Sequence, residues 1–77
     1  MLTAKQVLDE YFLDTRCMLL EIAATLDRHE AASARAAGEE PDPRLGEIHR
    51  SLGILADEHA GANRAEQLLN LFSDPVD

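Results

Sequence analysis

The stretch AKQVLDEYFLDTRCMLLEIAATLDRHEAASAR, Ala4 to Arg35, decides the fold. Its apolar residues recur at Leu8, Phe12, Leu19, Ile22 and Leu26, with Thr15 on the missing beat, so the spacing runs four, three, four, three, four. That is the seam of a helix packed lengthwise on another helix. Val7, Tyr11, Met18 and Ala23 flank the seam and widen it to the arc of a globular helix. A second, narrower stripe of Leu13, Cys17, Leu20 and Ala24 lies well away from the first. Arg16 and Asp27 separate the two on one side, and Glu10, Asp14 and Glu21 on the other. One partner helix cannot cover both stripes.

Working outward, Thr3 and Gln6 form a capping-box pattern, and Leu2 and Val7 occupy the positions of a hydrophobic staple. The helix is therefore predicted over about 3–37, where an alanine-rich run of high propensity leads to Gly38. Pro41 and Pro43 forbid helix through the loop at 38–42. Asp42 followed by Pro43 reads as N-cap and first residue of a second helix over about 43–60. Its expected apolar face is Leu45, Ile48, Leu52, Leu55 and Ala56.

Beside that face Gly46, Gly53 and Ala60 stand at seven-residue intervals. Glycine inside a helix costs about 1 kcal/mol relative to alanine, so two in register suggest close approach of another backbone. Asn63 and Glu66 suggest a cap for a third helix over about 63–72, with Ala65, Leu68, Leu69 and Phe72 on one face, followed by a tail at 73–77. The expected architecture is all-α: one helical domain, 1–77, with a long first helix, an antiparallel second and a short third. The uncovered stripe of Leu13, Cys17, Leu20 and Ala24, with Gly46 and Gly53, is the expected dimer or partner interface. Two copies would form a four-helix-bundle-like core.

Seventy-seven residues sit in the size range where a single core is marginal and a second copy often completes it. The net charge of −8, from fifteen acidic and seven scattered basic residues, argues against a nucleic-acid or anionic-membrane partner. No apolar run approaches the ~20 residues of a membrane span, and no leader pattern opens the chain, so a cytoplasmic location is expected. The single Cys17 reads as a small hydrophobe in a reducing compartment.

No glutamate is followed three residues later by histidine, and His-Glu-x-x-His does not occur. Ser33, Ser51 and Ser73 lie in no nucleophile elbow. Of the three histidines, His29, His49 and His59, the second helix carries two: His59 falls among its apolar positions and His49 at their edge, where an interface residue is expected before a ligand. The acidic column Glu10, Asp14 and Glu21 reads first as a solvated face. Its alternative is a divalent-cation or small-ligand site at the dimer axis, lined by these carboxylates and the histidines. Neither an enzyme nor a resident cofactor is expected. The leading reading is a homodimeric protein–protein interaction or regulatory module, with Ile54, Leu71 and Phe72 as further contacts for another protein.

Overall fold

A computed structural model describes residues 1–36, 38–59 and 61–73. The described residues form three helices and no strand: α1, Ala4–Arg35; α2, Pro43–Ala56; and α3, Arg64–Ser73. The chain divides into two units, Met1–Glu39 and Glu40–Asp77.

The first unit is α1 with its caps. Thr3 is extended and its hydroxyl accepts the Gln6 backbone N–H at 3.1 Å, while the Gln6 side chain accepts the Thr3 N–H at 2.8 Å. Each side chain thus satisfies a donor that the first helical turn leaves without a partner. Lys5 and Asp9, one turn apart, add an exposed ion pair at 2.9 Å. At the other end the Ala36 N–H reaches the Ala32 carbonyl, and Gly38 turns the chain with φ +99°, a conformation that costs glycine little and other residues more. The expected glycine turn is therefore present two residues beyond Ala36.

The second unit begins where Asp42 caps α2. The Asp42 Oδ1 accepts the Arg44 backbone N–H at 2.9 Å, and Pro43 takes the first helical position, where its missing N–H is harmless. The Arg44 guanidinium also folds back onto the same carboxylate, with Nη2 donating to Oδ2 at 2.7 Å. That hydrogen bond, and then the charge of Asp42, raises the Arg44 pKa further above its ordinary value.

The second helix is shorter than the predicted 43–60: it ends at Ala56, with Asp57 extended as its C-cap. Asp57 accepts the His59 N–H on its own Oδ1 at 2.9 Å, forming a local turn that competes with helix. Arg64, the first residue of α3, donates Nη2 to the Asp57 carbonyl at 2.7 Å and Nη1 to the Gly61 carbonyl at 3.2 Å. These bonds tie the start of α3 to the end of α2, and Gly61 supplies the positive φ, +78°, needed between them. His59 therefore lies in the connecting turn, not on the apolar face of a helix. The expected Asn63–Glu66 cap also differs: Asn63 Oδ1 accepts the Gln67 side-chain amide at 2.8 Å.

α2 and α3 pack on each other. Shielding along α2 follows Glu47, Ser51 and Ile54, spaced four and three, with Leu45 and Leu52 half-buried beside them. Ser51 is the one buried side chain among the described residues, 8% exposed, and its hydroxyl is satisfied by the Glu47 carbonyl at 2.9 Å. On α3 the half-buried line is Arg64, Leu68 and Leu71, together with Gln67. The predicted apolar faces are thus rotated relative to the packed ones. Ile48 and Leu55 of α2 remain exposed, as do Leu69 and Phe72 of α3, at 67% and 57%.

Candidate interaction surface

The feature that dominates α1 is the number of apolar side chains it leaves open. Among the described residues no apolar side chain is buried. Leu8, Phe12 and Leu19 of the first stripe are each more than half exposed, and Ile22 and Leu26 are intermediate. Tyr11 and Met18 on its flank are equally open. In the second stripe Leu13 and Leu20 are 65% and 60% exposed, Cys17 is exposed and Ala24 is intermediate.

The cause lies in the sequence. At ~100° of rotation per residue the two stripes are centred about 145° apart on α1. Both therefore persist as separate bands, divided by the charged residues between them. Single exposed leucines are ordinary, whereas contiguous bands running several turns mark a surface that binds something.

Along the second stripe a shallow open groove is bordered by Leu20, Glu21, Ala24, Thr25 and Arg28. Thr25, one of these residues, donates its hydroxyl to the Glu21 carbonyl at 2.9 Å.

The structure brings Leu13, Cys17, Leu20 and Ala24 together as one band on α1. Gly46 and Gly53 lie on α2, in the other unit. A Cβ placed at Gly53 would meet nothing within 4 Å, and one at Gly46 would meet the Arg50 guanidinium at 3.6 Å. Among the described residues, no backbone outside the glycines' own helix lies within 4 Å of either Cβ. The third member of their column, Ala60, lies outside the described residues. Ile54 and Leu71, read as contacts for another protein, are half-buried in the second unit, while Phe72 is open. The signal for that difference was the line Glu47, Ser51, Ile54, whose polar members conceal it from a search for apolar residues.

His29, His49 and His59 are all exposed, and among the described residues none makes a side-chain hydrogen bond or ion pair. Glu10, Asp14 and Glu21 are likewise exposed, and no group of three or more His, Cys, Asp or Glu side chains converges among the described residues. Among those residues, too, no helix is long and apolar enough to cross a membrane. Comparison with known proteins finds no family model, no curated protein and no solved structure that matches the chain.

Proposed function

We propose that this chain is a non-enzymatic, homodimeric protein–protein interaction or regulatory module. The interface assigned to the second copy is Leu13, Cys17, Leu20 and Ala24, with Gly46 and Gly53 as the places where another backbone approaches. The assembled core would resemble a four-helix bundle. One observation carries this reading: α1 exposes two long apolar bands, and burying a leucine of either band is worth roughly 1–2 kcal/mol. A second copy is the simplest occupant, because a two-fold contact covers the same band on both chains and closes.

The test is the mass of the purified protein across a concentration series by light scattering, with metal analysis of the same sample. A dimer without metal supports the reading. A monomer at every concentration rejects the homodimer, and stoichiometric metal transfers attention to Glu10, Asp14 and Glu21.

A further inference from the structure

We infer that the contact between copies is an antiparallel pairing of α1 with α1, in the register that sets Leu20 against Ala24 of the second copy. This rests on the homodimer reading above and adds its geometry. Three properties of α1 lead to it.

The first is a set of charges with no local partner. Asp14, Arg16, Asp27 and Arg28 are exposed, and none has an opposite charge three or four residues away, where a helix could pair it. Lys5 and Asp9 show the contrast, paired at 2.9 Å along the same helix. The unpaired charges are also ordered along the helix. Glu10 and Asp14 stand near the start of one edge of the second stripe, with Arg28 and Arg35 near its end; Arg16 stands early on the other edge, with Asp27 and Glu30 later.

The second property is a gradient of size. The stripe carries Leu13 and Leu20 in its first half and Ala24 and Ala31 in its second. Run antiparallel, Leu20 meets Ala24 of the second copy and Leu13 meets its Ala31, so a large side chain faces a small one in these two layers, while Cys17 meets Asp27 in the layer between them. The same register places Asp14 across from Arg28, Glu10 across from Arg35, and Arg16 between Asp27 and Glu30. Every one of these pairs occurs twice by symmetry. One like-charged pair remains, Glu21 with its own symmetry mate beside the axis. The opposed helix dipoles also favour this orientation.

The alternatives fare worse on the same residues. In a parallel pair, Glu10 and Asp27 would each face their own copies within the seam, and Asp9 would face Asp14. Arg16 with Glu21 and Glu30 with Arg35 would be the compensating contacts. Sliding the antiparallel pair one heptad towards the N-terminus sets Glu10 against Asp27 and Asp14 against Glu21. Sliding it the other way leaves Leu13 outside the overlap.

The third property is length. In the favoured register residues 9–35 overlap, about 40 Å of helix at ~1.5 Å per residue. A contact strip of that length and about 12 Å wide covers roughly 500 Å² on each chain, or ~1,000 Å² in all, the threshold for a specific interface. The dimer is therefore expected to dissociate on dilution.

Oxidative cross-linking of the full chain tests the register. Native Cys17 lies level with residue 27 of the second copy, so the two thiols are separated by about 15 Å along the axis, beyond disulfide reach. Mild oxidation should leave the native chain free of covalent dimer. The variant Cys17→Ala/Leu20→Cys/Ala24→Cys should yield covalent dimer in high proportion.

Charge reversal provides a second measurement that leaves the apolar seam intact. Asp14→Arg and Arg28→Asp should each weaken the dimer by roughly three- to tenfold, and the double variant should restore it, as expected for two exposed ion pairs per dimer. Ready cross-linking of native Cys17 would put the two thiols side by side, as in a parallel pair or in the antiparallel register slid towards the N-terminus, and would overturn the inference. A dimer in light scattering that shows neither the 20–24 cross-link nor charge rescue would overturn the register while leaving the homodimer standing. A monomer at all concentrations would remove both.

Discussion

Replacing Leu20 with glutamate probes the second stripe at its centre. Leu20 is 60% exposed in the single chain, so roughly that fraction of its ~1.5–3 kcal/mol burial free energy is available to a partner. This amounts to about 1–2 kcal/mol per side chain, and two-fold symmetry counts it twice. The loss of roughly 2–4 kcal/mol should raise the dimer Kd between about thirty-fold and a thousand-fold. Carboxylate desolvation at the seam acts in the same direction.

The fold of the single chain should not change, because glutamate matches leucine in helix propensity and the new carboxylate lies one turn after Arg16. Sedimentation equilibrium gives the Kd, and far-UV circular dichroism at a concentration where both proteins are monomeric gives the helicity. Leu19→Glu is the control, one residue along on the other stripe. A Leu20→Glu protein that dimerises as tightly as the parent, with unchanged helicity, would refute the assignment of this stripe.

Three further substitutions address the local structure. Thr3→Ala removes the hydroxyl that accepts the Gln6 N–H, and should cost about 1 kcal/mol; faster amide exchange confined to the first turn of α1 is the expected sign, and unchanged exchange there would contradict it. Gly61→Ala forces a side chain into φ +78° and should destabilise the second unit by about 1–2 kcal/mol, measured by urea unfolding, although there is open space around the new methyl group. Ser51→Leu overfills a buried position and should cost about 1–3 kcal/mol, whereas Ser51→Ala should be nearly neutral, because the hydroxyl serves a carbonyl that the helix already engages. Equal tolerance of both Ser51 variants would show that α3 does not pack over this residue.

Helix beginnings were legible in the sequence because their determinants lie within four residues. The Thr3–Gln6 box and the Asp42–Pro43 pair each place a side-chain acceptor or a missing donor where the first turn requires it, and the structure forms both. The two stripes of α1 were legible for a similar reason: in a helix of 32 residues, spacing alone fixes which side chains share a face.

The end of α2 was not legible, because residues 57–59 show no helix breaker. Asp57 stops the helix through its turn with His59 and through the guanidinium of Arg64, seven residues away, and that second bond exists only once α3 has turned back. The packed face of α2 was hidden for the same kind of reason. Apolar spacing marks Ile48, Leu52 and Leu55, yet Ser51 is the most buried described residue of α2, which packs on α3, and a small residue lets two helices approach. The sequence by itself thus determined where helices begin and which residues align along α1. The tertiary structure alone decided where α2 ends and which of its faces meets α3, because both depend on atoms brought near by the turn between the helices.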